Sequence, residues 1–157
     1  MFMAPGFLIC ISSLVSIALA VAGASVVATD GDSKVLPLLQ RNVVANGVAS
    51  SVSVRELKWG DDGVMSSLCP PCFDYVLATD VVYPCGGSDY FEPLLQSMLA
   101  ASGTQTEILL AHENRSGEDA SFFPLFSTMY AFSAVPQECM HPDWSTPDID
   151  IIRAKRR

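Results

Sequence analysis

The chain has 157 residues, half of them apolar, with 9 basic and 17 acidic side chains and a formal net charge of −8. That length is enough for one domain with a real core, taken here as residues 1–157 with 1–12 as an atypical apolar segment. The acidity excludes a general nucleic-acid binder, which needs a basic face to displace counterions from phosphate, and five irregularly spaced cysteines exclude a disulfide framework and point to a reducing compartment.

In chain order, residues 1–29 carry no charge, so two readings stand: core elements, or a signal peptide or membrane segment through residues 7–28. Pro5, Gly6, Gly23 and the serines interrupt a spanning helix, and Met-Phe-Met-Ala-Pro lacks the basic residues of a signal peptide. Residues 7–11 can form an apolar central strand, and 13–22 (SLVSIALAVA) suit a buried helix with Gly23 as its C-cap. Residues 24–29 (ASVVAT) read as a buried strand ending at Asp30. Residues 34–46 carry a helical stripe at 35, 36, 38, 39, 43 and 44, with Pro37 tolerated in the first turn. Residues 52–57 alternate as a strand, and 59–72 (WGDDGVMSSLCPPC) read as a loop. A strand at 73–79, an amphipathic helix at 89–101 and a strand at 106–112 follow. A helix lies within 118–132, with Phe122, Phe123, Leu125, Phe126, Met129 and Tyr130. Segments 132–138 and 148–154 can pair as an antiparallel hairpin. Strands alternating with helices predict an α/β protein with a mostly parallel sheet covered on both faces.

Open α/β sheets bind ligands at the carboxyl ends of their strands. Asp30 stands at such an end, where a carboxylate can accept both hydroxyl hydrogens of a ribose or simply serve as a turn or cap. Trp59, just past a strand, offers a flat face for an adenine ring or ordinary core packing. Asp80 and Tyr83, in Asp-Val-Val-Tyr, can face one cleft and accept hydrogen bonds from an ammonium group, or Asp80 can cap a loop. Asp61 and Asp62 read as turn residues. Cys69 and Cys72 have the spacing of a redox or metal pair, but only Cys139 and His141 remain to complete a site, so no metal is expected. Asn114-Arg-Ser116 is a glycosylation sequon that matters only in a secreted chain, and the basic tail 153–157 reads as a solvated strand end.

ASVVATDGDSKVLPLLQRNVVAN, ELKWGD, FDYVLATDVVY and EILLAHENR with a following Phe-Phe occur in this order, and together they resemble the class I, seven-strand S-adenosylmethionine-dependent methyltransferases of the protein-lysine branch. The resemblance covers about residues 13–157. It implies a Rossmann-like sheet with a C-terminal antiparallel hairpin, S-adenosylmethionine as cofactor and a protein lysine as methyl acceptor. By the same resemblance Asp30, Trp59 and Thr79 line the cofactor site, Asp80 and Tyr83 face the target amine, and Glu113, Asn114 and Arg115 match an element after the fifth strand.

The chain departs from the family at one place. An acidic residue and a Gly-x-Gly-x-Gly turn belong before the first helix, and Phe7-Leu-Ile-Cys-Ile-Ser-Ser13 stands there instead. Glycines at such a turn let the backbone approach a cofactor and adopt positive φ. The departure suggests a truncated or alternatively started product lacking an N-terminal substrate-side segment. The expected activity is methyl transfer to a protein lysine. The alternatives are a catalytically inactive protein-binding module of the same fold and a membrane-anchored or secreted protein. The expected setting is a cytoplasmic monomer, with the nucleus or a membrane surface as alternatives, and no nucleic-acid partner.

Overall fold

A computed structural model describes residues 5–10, 13–68, 73–82, 88–113 and 121–157; for residues 7–10, 65, 66 and 88 it describes the backbone alone. The apolar opening segment is not one long helix. It divides into strand β1 (Gly6–Cys10), helix α1 (Ser13–Val21) and strand β2 (Ser25–Asp30). Gly23, at φ 94°, ends α1: its N–H bonds to the Ala20 carbonyl and that of Ala24 to the Leu19 carbonyl, a pairing that needs a left-handed residue. Among the described residues, no helix is long and apolar enough to cross a membrane.

The chain continues through α2 (Leu36–Ala45), β3 (Val52–Glu56), α3 (Asp62–Leu68), β4 (Tyr75–Thr79), a 3-10 turn at Ser88–Tyr90 and α4 (Phe91–Ala101). It closes with β5 (Glu107–Glu113), α5 (Phe122–Met129), β6 (Tyr130–Ala134) and β7 (Ile149–Arg156). One sheet of seven strands has the order β3-β2-β1-β4-β5-β7-β6. β1 to β5 pair in parallel, and β7 runs antiparallel to both β5 and β6. This is the expected Rossmann-like α/β sheet with its C-terminal antiparallel hairpin, and residues 6–10 do supply its central strand.

Strand alternation sorts the core into two layers. Val26, Ala28, Val52 and Leu77 face one side and pack with Ala20 of α1 and with Leu39 and Val43 of α2. Val76, Ala78, Ile108, Leu110, Ile152 and Ala154 face the other side, under α3, α4 and α5. In that second layer Phe122, Phe126 and Tyr130 are spaced four apart and fully buried. Phe122 stacks on Phe126 at 5.4 Å and Phe126 on Tyr130 at 4.8 Å, with Phe91 of α4 edge-on to Phe122 at 5.4 Å.

Two elements differ from the sequence expectation. Residues 59–72 are not all loop: α3 forms over Asp62–Leu68. Asp61 Oδ1 accepts the Val64 N–H at 3.1 Å and caps the first turn, and Asp62 adds a negative charge at the positive helix end. Tyr130 is not the last residue of the helix stripe but the first of β6, because its hydroxyl shares a buried hydrogen bond of 3.0 Å with Ser102 Oγ at the end of α4.

Burial pushes the Tyr130 hydroxyl above the ordinary tyrosine range, only partly offset by the Ser102 hydrogen bond and the charge of Arg156. A folded-state pKa raised above the unfolded value of about 10 means that the neutral phenol stabilises the fold, fully so below that pH. Stability should therefore hold from pH 7 to 9 and fall as pH rises through 10 and above. Tyr130→Phe leaves the Ser102 hydroxyl buried without this bond and should cost about 1–3 kcal/mol at pH 8. The gap between wild type and variant should narrow above pH 10; urea denaturation at pH 8 and 10.5 measures both effects, and a gap that stays constant would contradict the Tyr130 assignment.

Candidate active site

The chain leaves β1 in two directions. β1, α1, β2, α2 and β3 build the sheet toward one edge, and β4, β5, β7 and β6 build it toward the other. The strand order reverses between β1 and β4, and open α/β sheets bind ligands at the carboxyl ends of the strands beside such a reversal. Three of the strands that end at this edge carry residues singled out from the sequence: Asp30 closes β2, Thr79 closes β4 with Asp80 just after it, and Trp59 follows β3. β1 alone separates β2 from β4, so the strand ends carrying Asp30 and Thr79 lie roughly 10 Å apart, two strand spacings.

Asp30 is half-buried on the α1–α2 side. Its Oδ1 accepts the Asp32 N–H at 2.8 Å, and Asp32 Oδ1 in turn accepts the Lys34 N–H at 2.9 Å, so the turn interpretation of Asp30 is realised alongside its position at the strand end. Asp30, Thr29, Ser13, Val35, Leu38, Leu39 and Asn42 line a cavity of about 100 Å³ between the start of α1 and α2. Asn42 Nδ2 donates to Ser13 Oγ at 3.4 Å across it. Trp59, Thr79 and Asp80 do not line this cavity.

Trp59 is half-buried and packs against the core layer under α3 to α5, so the packing interpretation holds for one part of the ring. The Leu57-x-Trp59-Gly60 element has a physical basis. Leu57 is 2% exposed and its N–H bonds to the Asp30 carbonyl at 2.9 Å, which carries the β2–β3 pairing one residue past the strand. Asp61 N–H then closes a four-residue turn on the Lys58 carbonyl at 3.1 Å. Gly60, third in that turn, has φ 80°, the left-handed conformation a type II turn demands at this place.

Asp80 is exposed and adopts φ 55°, the one non-glycine positive φ among the described residues. Its N–H extends the β4–β5 pairing to the Ala111 carbonyl at 3.0 Å. A side-chain-bearing residue held left-handed is a local conformational cost that a surrounding structure must maintain, and such residues concentrate at functional sites. The two residues that follow, Val81 and Val82, are buried at 2% and 3% exposure and anchor the chain just past it.

Tyr83, Asn114 and Arg115 lie outside the described residues, as do Cys69 and Cys72. Glu113 is the half-buried last residue of β5. No group among the described residues could hold a metal ion, and Cys139 is an exposed free thiol. The sequence pattern did not single out His112, buried at the end of β5 with its ring edge-on to Phe123 at 5.6 Å, or Ser97 and Pro93 of α4, which touch the Trp59–Gly60 turn. A serine at a core position of an amphipathic helix was the available signal for Ser97, since a buried hydroxyl needs a partner.

Comparison with known proteins adds a family. A family profile described as lysine methyltransferase matches residues 12–129. The chain is 32% identical over 149 residues to the mouse protein N-lysine methyltransferase METTL21A, covering 93% of this chain and 63% of that relative. Among solved structures it superposes on a TehB-like S-adenosylmethionine-dependent methyltransferase from Corynebacterium glutamicum with TM-score 0.72 at 12% identity, over 100% of this chain and 83% of the other. It superposes on the O-methyltransferase from Bacillus cereus in complex with SAH with TM-score 0.68 at 18% identity, over 98% and 74%.

The left-handed backbone at Asp80 separates the demands of fold and side chain. Asp80→Gly should leave stability unchanged or up to about 1 kcal/mol higher, whereas Asp80→Val, branched at Cβ, should lose about 1–3 kcal/mol. Thermal melts of the two variants check this, and equal melting temperatures would show that the conformation relaxes freely.

Proposed function

Because this chain belongs to the lysine methyltransferase family, we propose that it binds S-adenosylmethionine across the carboxyl ends of β2, β3 and β4 and transfers a methyl group to a lysine side chain of a protein, in a reducing, cytoplasmic setting. The chain spans 63% of the length of the METTL21A proteins it resembles. The observation that carries the reading is the left-handed Asp80 at the end of β4, beside the β1–β4 switch point and two strands from the Asp30 carboxylate.

The side chains at this edge suit the cofactor in two places. Asp30 offers carboxylate oxygens for a pair of ribose hydroxyls, and Trp59 offers an indole face that an adenine can stack on, with Thr79 lining the site from the end of β4, on the far side of β1. When bound, S-adenosylmethionine supplies an electrophilic methyl group. The chain's own residues would act on the acceptor. Asp80 accepts a hydrogen bond from the lysine ammonium and favours its entry into the crevice. Asp80 with Tyr83 then holds the nitrogen in line with the methyl carbon as the amine loses a proton to solvent. Most of the rate gain comes from that positioning, and removing water from the amine strengthens the Asp80 contact.

A second reading rests on a separate observation. The sequence from Phe7 to Ser13 contains no glycine, whereas close approach of backbone to a cofactor favours residues without Cβ. On that reading the fold is a protein-binding module without methyl transfer.

Calorimetric titration with S-adenosylmethionine separates the two. Binding should raise the melting temperature, with about 2.7 kcal/mol of added stability at a hundredfold excess over Kd. Asp30→Ala should weaken binding by roughly ten- to a hundredfold, the value of about 1.5–3 kcal/mol for a charged hydrogen bond. Asp80→Asn should keep cofactor affinity and lose methyl transfer to a lysine-bearing protein. No heat and no melting shift at millimolar cofactor would remove the activity and leave the module; a glycine-rich turn inserted between Cys10 and Ser13 should then restore affinity.

A further inference from the structure

We infer that Ser97 of α4 is the positioning residue that fixes the Trp59–Gly60 turn and so sets how the indole is presented at the carboxyl edge. The inference rests on the proposed role of Trp59 at the cofactor.

The turn needs an outside constraint. Four-residue turns closed by the same hydrogen bond exist in two forms that differ by rotation of the central peptide, and the two forms place different φ values at the third residue. Here the central peptide joins Trp59 to Gly60, and Gly60 at φ 80° takes the form open to glycine. Overturning this peptide changes the ψ of Trp59 and the φ of Gly60 together and points the Gly60 N–H away from α4, which releases the residue carrying the indole from that helix. The one donor that reports which form is present is the Gly60 N–H, and it bonds to Ser97 Oγ at 2.9 Å.

Ser97 is a suitable fixed point. It is 5% exposed, within the core-facing stripe of α4 made by Leu94, Leu95, Met98 and Ala101. Side chains four apart on a helix share a face, and Pro93 is four residues before Ser97. A Cβ on Gly60 would meet Pro93 Cβ at 3.1 Å, so the turn rests directly on that proline. Pro93 excludes bulk at Gly60 while Ser97 takes its N–H. The indole's buried side packs on the same layer that α4 builds, so the helix that orders the turn also backs the ring. A serine is otherwise a poor choice at a helix core position, because its hydroxyl must find a partner away from water. The Gly60 N–H gives it that partner.

The test uses the full chain in a Trp144→Phe background. Trp144 is 82% exposed, and its removal leaves Trp59 as the sole tryptophan. Ser97→Ala should make Trp59 fluorescence more accessible to acrylamide and lower its anisotropy without any cofactor present. It should also raise the Kd for S-adenosylmethionine about three- to tenfold, the range that losing one hydrogen bond of typical net strength gives, with kcat at saturating cofactor within about twofold of the parent. Ser97→Thr, which keeps the hydroxyl, should restore both signals. Ile108→Ala, a buried change on β5, lowers stability without touching the turn, so it should lower the melting temperature and leave Trp59 quenching and Kd unchanged.

Unchanged quenching and anisotropy in Ser97→Ala would overturn the inference, as would the same changes appearing in Ile108→Ala. A parent protein that binds no cofactor would overturn the proposed role of Trp59 at the cofactor, while the fluorescence comparison still decides whether Ser97 fixes the turn.

Discussion

Everything at the carboxyl edge depends on the parallel pairing of β1 between β2 and β4. Remove that strand and the sheet divides into β3–β2 and β4–β5–β7–β6, two pieces whose edges would then expose unpaired backbone groups. The chain fastens the start of β1 from both sides. Asp74 Oδ2 accepts the Gly6 N–H at 2.7 Å, the Asp74 N–H bonds back to the Gly6 carbonyl at 3.0 Å, and the Pro5 carbonyl accepts the Ser25 N–H at 3.1 Å. The Asp74 carbonyl also takes the Glu107 N–H at 2.9 Å, so one residue aligns β1, β4 and β5 before any carboxyl end is reached. Register at the amino end fixes register at the other end, and with it the spacing of Asp30 from Asp80.

α4 is the second joint. Its Leu94, Leu95 and Met98 fill the layer over β4 and β5, and Phe91 meets the aromatic stack of Phe122, Phe126 and Tyr130 that ties α5 and β6 to that layer. At its end Ser102 reaches Tyr130, and in its middle Pro93 and Ser97 hold the turn after β3. One helix thus connects the antiparallel end of the sheet with the loop of the opposite edge strand. The Ser102–Tyr130 bond is buried and the Gly60–Ser97 bond partly so, where a hydrogen bond meets less competition from water. By contrast the Arg153–Glu107 pair at 2.8 Å is 62% exposed on the arginine side and contributes little.

Much of this was readable from the residues. Apolar runs bounded by Asp30, Gly47 and Asp80, and helical stripes at 35–44 and 89–101, gave the strands and helices other than α3 within a few residues of their places. Helix α3 was hidden because its signal is polar: a single capping aspartate ahead of Gly63, in a segment rich in glycine and serine. Tyr130 continued the four-residue spacing of Phe122 and Phe126, so periodicity alone carried it into the helix. Its Ser102 bond lies 28 positions away in sequence and no local pattern could show it. The same limit applies to the site. Strand-end acids are local features and were legible, whereas the contact of Ser97 with Gly60 spans 37 positions. The left-handed backbone of Asp80 leaves little mark in the residue type, since aspartate is also common in ordinary turns.

The departure from the family at residues 7–13 bears on binding and on chemistry differently. A glycine-rich turn grips a cofactor through backbone N–H groups brought close by the missing Cβ atoms. On the proposed reading, the remaining contacts at this edge would come from side chains: the Asp30 carboxylate, the Trp59 indole and Thr79. On that reading, loss of the turn would remove part of the affinity without moving any of them, because their positions are set by β2, β4 and the α4 contact. Asp80 is further removed still, held by the Ala111 carbonyl and by buried Val81 and Val82. A defect confined to the connection would therefore appear as weak cofactor binding with near-normal turnover at saturation, since interactions that act equally in ground and transition states change KM and leave kcat alone.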